Sequence, residues 1–178
     1  SPNGSPYESN KLTERQQIIK SRCEESNLPV IYLNLVGGQD DLVFDGGSFV
    51  YDNRGTIVCQ FPQFLEKTEQ VIFEQRKNGW VPLPELVADI GSRESQDYKA
   101  VVLGLRDYVL KSNFHKVVIG LSGGIDSALV AVMAVDALGA DNVVCLALPS
   151  KFNSSSSLDD AKQLSENLGI TLETIGIQ

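Results

Sequence analysis

Apolar residues recur at helical spacing over residues 12–25, with a polar face between them, and Pro29 ends that helix before the strand-like run Val30-Ile31-Tyr32-Leu33. Further strand-like runs follow at Leu42-Val43-Phe44, at residues 48–51 and at residues 56–59. The last two are joined by Asp52-Asn53-Arg54-Gly55, a turn in which Gly55 supplies a positive φ, so they predict a hairpin. Over residues 76–96 the pattern breaks into Trp80-Val81-Pro82-Leu83-Pro84 and charged residues, the composition of a connector. Beyond it the alternation becomes regular: helix over 96–110, strand over 116–121, helix over 127–138, strand over 142–148, helix over 157–168, strand over 171–175. That order predicts a parallel α/β sheet. Gly139 and Gly169 fall just past two of these helices, and Ser157 with Asp160 reads as a capping box. Val117-Val118-Ile119 and Val143-Val144-Cys145-Leu146 are nearly unbroken apolar runs, as expected of strands covered on both faces.

The 178 residues are 42% hydrophobic, enough for a buried core, and the formal net charge of −8 with no Lys/Arg run argues against a nucleic-acid partner. The three cysteines, Cys23, Cys59 and Cys145, form no CxxC pair and lie near no histidine, which suits a reducing cytoplasmic setting rather than zinc. No apolar run is long enough to span a bilayer, so no membrane partner is expected. The single histidine, His115, precedes a strand and reads as a surface or capping residue.

The segment with the most chemical content is Gly120-Leu121-Ser122-Gly123-Gly124-Ile125-Asp126-Ser127, set between an apolar strand and a helix. Adjacent glycines let main chain approach an anion closely, and N–H groups at a helix start attract phosphate oxygens. Pyrophosphate is expected on the Gly123 and Gly124 amides, with Ser122 and Ser127 as added hydroxyl donors. The Gly-Lys-Ser/Thr ending of a Walker A loop is absent; Asp126 stands in that region. A carboxylate beside a polyphosphate calls for a hard divalent cation between them, so Asp126 reads as a Mg²⁺ ligand. The alternative is a Gly-rich turn with Asp126 or Ser127 as helix N-cap.

Ser122-Gly123-Gly124-Ile125-Asp126-Ser127 resembles the phosphate loop of the ATP-pyrophosphatase superfamily, which cleaves ATP between its α and β phosphates. Leu148-Pro149-Ser150-Lys151-Phe152-Asn153-Ser154 is similar to the Met-Pro-Ser-Arg-Tyr-Ser-Ser segment of NAD synthetases, with Leu148 beside the adenine by that resemblance; a Ser-rich linker is the other reading. Asn3-Gly4-Ser5-Pro6-Tyr7 and the stretch from Asn34 to Ser48, with its Gly37-Gly38-Gln39-Asp40 core, resemble the nitrilase-type glutaminase domain of glutamine-dependent NAD synthetases. Carried over by position, Ser5 and Lys11 contact glutamine, although Ser5 alone equally suits a helix cap. Residues 37–45 would pack where ammonia leaves the glutamine site.

The resemblance implies an α/β fold in three stretches. Residues 1–75 would be the C-terminal part of a nitrilase-like αββα sandwich, 76–96 a connector, and 97–178 the first half of a Rossmann-like ATP-pyrophosphatase domain. The Cys, Glu and Lys of the glutaminase would lie outside this chain, which reads as an internal piece. It further implies ATP and Mg²⁺ as cofactors, deamido-NAD and glutamine as substrates, and a homo-oligomeric parent enzyme. The rival readings are another amidotransferase of the same superfamily and a non-catalytic nucleotide-binding chain.

Overall fold

The helix expected over residues 12–25 forms, in the computed structural model, as α1 (Lys11–Ser26), following a short strand β1 (Pro2–Asn3). Its Leu12, Ile19 and Cys23 share one face, because helical steps of three and four bring side chains back to the same side. That face packs on Tyr32, Phe49 and Tyr51, whose rings stack (Tyr32 on Phe49, 4.8 Å between centroids) or meet edge to face (Phe49 and Tyr51, 5.5 Å). These aromatics belong to a sheet ordered β1-β2-β5-β6, with β2 at Val30–Asn34, β5 at Phe49–Tyr51 and β6 at Ile57–Gln60. β1 pairs parallel with β2, and the remaining pairings are antiparallel. Gly55 has φ +72° in the expected β5–β6 turn.

Four strands were not expected: β1, β3 (Val36–Gln39), β7 (Phe73–Arg76) and β8 (Gly79–Pro82). β3 forms a hairpin with β4 (Leu42–Asp45), and β7 with β8 forms another inside the stretch expected to be a connector. The structure describes residues 1–77, 79–84, 87–149 and 155–176, and the chain divides into two compact units, Ser1–Ala100 and Val101–Gln178. Helix α2 (Arg93–Lys111) is capped by Ser92, whose hydroxyl accepts the Ser95 N–H at 3.3 Å.

In the second unit the sheet order is β11-β10-β9, parallel throughout, from β9 (Val117–Gly120), β10 (Val143–Ala147) and β11 (Thr171–Thr174). α3 (Ile125–Leu138) and α4 (Ser155–Leu168) make the two crossovers. Both crossovers step the same way across the sheet, so right-handedness puts both helices on one face. There Ala131, Ala134 and Ala161 close on Val143 and Cys145, flanked by Val117, Ile119 and Leu172. The opposite face stays more open, with Val118 64% exposed, so the expectation of strands covered on both faces is not met among the described residues. α4 begins two residues before Ser157, which therefore lies inside the helix and is not its cap.

Candidate functional site

The carboxyl edge of the β11-β10-β9 sheet gathers the nucleotide residues read from sequence. Gly120 ends β9 and pairs with Leu146, and the Leu121 N–H continues the ladder to the Leu146 carbonyl at 2.8 Å. The Leu121 side chain is buried in the core of this unit and anchors the loop from below. Leu148, just past the end of the neighbouring β10, lies at the same edge and is exposed. This is where parallel α/β sheets take ligands. Residues 150–154, including Lys151 and Phe152 of the Ser-rich segment, lie outside the described residues.

Gly123 has φ +81°, and an added Cβ would come within 2.8 Å of the Ser157 Cα and carbonyl carbon and would overlap the Ser157 carbonyl oxygen. The loop thus closes against the first turn of α4, and only glycine satisfies both the backbone conformation and the contact. The α3 N-cap is Gly124, without a side-chain cap, which removes the reading of Asp126 or Ser127 as the cap. Instead the two serines brace the loop. Ser127 Oγ donates to the Gly124 carbonyl at 2.9 Å and accepts the Ser122 N–H at 3.2 Å; the two hydroxyls lie 3.0 Å apart; and Ser122 Oγ accepts the Gly124 N–H at 3.2 Å.

The two hydroxyls expected as phosphate donors thus hydrogen-bond within the loop, and the Gly124 amide does so as well. The amides of Gly123, Ile125, Asp126 and Ser127 have no partner among the described residues, as the first turn of a helix leaves them. Beside them the exposed Asp126 carboxylate makes no hydrogen bond or ion pair among the described residues. No cluster of three or more His, Cys, Asp or Glu surrounds it there. A lone carboxylate is a hard oxygen donor that could contribute one ligand to a Mg²⁺ ion, and the described residues offer no all-protein cage around it.

Ser5 and Lys11 fall in the first unit. The α1 N-cap is Asn10, so Ser5 is not a helix cap. The Lys11 ammonium lies 3.4 Å from both Glu8 and Glu14, and its pKa is raised, chiefly by the hydrogen bond it donates to Glu14. Ser5 belongs to a buried polar node that sequence reasoning missed. The Arg15 guanidinium pairs with Asp45 at 2.8 Å and also donates to Ser5 Oγ (3.1 Å), the Ser5 carbonyl (2.9 Å) and the Pro6 carbonyl (2.7 Å). Arg15 is 4% exposed and Asp45 1%. Gln63 caps the second Asp45 oxygen at 2.7 Å. The signal was present: Arg15 interrupts the apolar stripe of Leu12, Ile19 and Cys23, where a charge needs a buried partner. Cys23, Cys59 and Cys145 form no disulfide and are buried in α1, β6 and β10. Burial pushes the thiols of Cys23 and Cys145 up.

A parallel βαβαβ unit, with amides and a carboxylate at its carboxyl edge that have no partner among the described residues, defines an α/β protein, and residues 97–178 match the family described as NAD synthase. Over 99% of its length the chain is 53% identical to a glutamine-dependent NAD(+) synthetase of Rhodobacter capsulatus and 43% identical to one of Xylella fastidiosa, covering 32% of each. A solved glutamine-dependent NAD+ synthetase from Acinetobacter baumannii, in complex with adenosine diphosphate, superposes with a TM-score of 0.92 at 38% identity, over 99% of this chain and 33% of that one. Over nearly its whole length the chain is similar to glutamine-dependent NAD(+) synthetases, the resemblance its Gly120–Ser127 segment carried, and it spans about a third of the length of the relatives it matches.

Proposed function

We propose that this chain supplies the ATP phosphate site and part of the glutamine site of an enzyme that amidates deamido-NAD to NAD. The observation carrying this reading is the set of amides at Gly123, Ile125, Asp126 and Ser127 that, like the Asp126 carboxylate beside them, have no partner among the described residues. An adenine nucleotide in the Acinetobacter baumannii relative supports the choice of ATP. The nicotinate carboxylate forms a bond to the α-phosphorus as the α–β phosphoanhydride breaks and pyrophosphate leaves. Ammonia from glutamine then forms the amide, and AMP departs. The attacking carboxylate is already ionised, so the loop needs no general base. Its work is to position the phosphates and offset their charge. Asp126 would hold a Mg²⁺ ion, which neutralises phosphate charge when bound.

In the same reading residues 1–75 form the C-terminal part of a nitrilase-like αββα sandwich, 76–96 a connector and 97–178 the first half of the ATP-pyrophosphatase domain. Ser5 and Lys11 contact glutamine, and Leu148 lies beside the adenine. ATP or AMP soaked into crystals of a full-length protein carrying this sequence should place phosphate oxygens on the Gly123, Ile125, Asp126 and Ser127 amides. Phosphates bound elsewhere, with residues 120–127 empty, would remove the reading.

A further inference from the structure

Every polar atom of Ser5 except one is committed. Its N–H donates to Asn34 Oδ1 at 2.9 Å, and its carbonyl accepts from Asn34 Nδ2 at 3.0 Å and from Arg15 at 2.9 Å. Its Oγ accepts from Arg15 Nε at 3.1 Å. The hydroxyl proton alone has no acceptor among the described residues, and the residue is only half-buried. Because Arg15 occupies an Oγ lone pair, that proton is turned away from the guanidinium. A hydroxyl that accepts from a cation is also a stronger donor, since hydrogen bonds in a chain polarise one another.

The guanidinium cannot swing aside. Asp45 faces it from β4 and is itself fixed by Gln63 and, at 3.4 Å, by Asn34 Nδ2. We infer that Arg15 is a positioning residue that sets the Ser5 hydroxyl as a one-way donor to an acceptor oxygen of the glutamine substrate. This rests on the reading of Ser5 as a glutamine contact and adds the direction of the bond and the residue that enforces it.

The test is a double-mutant cycle in a full-length protein carrying this sequence, using Ser5→Ala, Arg15→Lys and both together. It reads KM and kcat for glutamine, with NAD formation from ammonium salt as the folding control. Loss of one such bond should raise the glutamine KM roughly tenfold in each single variant. Because Arg15 acts through Ser5, the double variant should be no worse than Ser5→Ala alone. Additive effects, or an unchanged KM in Arg15→Lys while Ser5→Ala is impaired, overturn the proposal. An unchanged KM in Ser5→Ala removes the glutamine reading of Ser5 itself and the proposal with it. Should Arg15→Lys fail to fold, Arg15→Gln with Asp45→Asn removes both charges together, leaving neither stranded. That pair should reproduce the raised KM, and a KM like that of the parent protein would overturn the proposal.

Discussion

The phenol of Tyr7 donates a 2.7 Å hydrogen bond to the carboxylate of Asp97, which lies 90 residues further along the chain in α2. The Tyr7 ring also meets Phe64 edge to face, 5.4 Å between centroids. The segment next to Ser5 is therefore tied to the start of α2 through the Asp97 carboxylate, which Ser9 Oγ also reaches at 3.4 Å.

The contact between Tyr7 and Asp97 makes stability depend on alkaline pH. Burial, followed by the hydrogen bond and negative charge of Asp97, raises the Tyr7 pKa from 10.0 to about 12. The fold favours the neutral phenol, so its contribution is whole below pH 10.0 and is lost as pH rises through about 12. Tyr7→Phe should lower unfolding stability by about 1 kcal/mol at neutral pH. It should also flatten the loss of stability above pH 10.0. Urea unfolding across that range, with phenolate absorbance as the titration readout, checks both; an unaltered alkaline slope would assign the transition to another tyrosine.

Asp126→Asn should leave thermal unfolding unchanged, because the carboxylate has no partner among the described residues to lose. In a full-length protein it should reduce magnesium-dependent pyrophosphate release by about a hundredfold, the scale of a lost electrostatic contact in a phosphate site. A rate like that of the parent protein would count against the metal role.

Two glycines of the loop should respond in opposite ways. Gly123→Ala forces a Cβ into the Ser157 backbone at positive φ and should cost about 2 kcal/mol or more in stability. Gly120→Ala meets nothing within 4 Å among the described residues and should leave stability unchanged. Thermal melts of the two variants decide it: equal melting temperatures would mean that Ser157 yields more readily than a helix backbone should.

This chain by itself should release no glutamate from glutamine and form no NAD from deamido-NAD and ATP. Its three cysteines are buried in regular elements, and burial raises the Cys23 and Cys145 thiols, the opposite of what activates a nucleophile. Iodoacetamide labelling followed by mass should be slow in buffer and fast in urea. Glutamate release that alkylation abolishes would overturn this.

What could be read in the sequence was local. Helices α1 to α4 and the strands of the second unit announce themselves by period and by flanking glycines. β3 does not, because Gly37 and Gly38 carry no side chain to alternate, and Pro82 and Pro84 disguise the β7–β8 hairpin as a linker. The phosphate loop was legible because its residues are contiguous. The Arg15–Asp45 pair was not, since its partners lie 30 residues apart, and neither was the engagement of Ser122 with Ser127, which depends on how the loop closes.

The contact of Gly123 with Ser157 also bears on transplanting the site. The eight residues 120–127 can be copied onto any strand and helix, but the wall that Gly123 leans on comes from the next crossover. A graft of the octet alone carries the string without the surface that shapes it. The smallest portable unit runs from β9 through the first turn of α4.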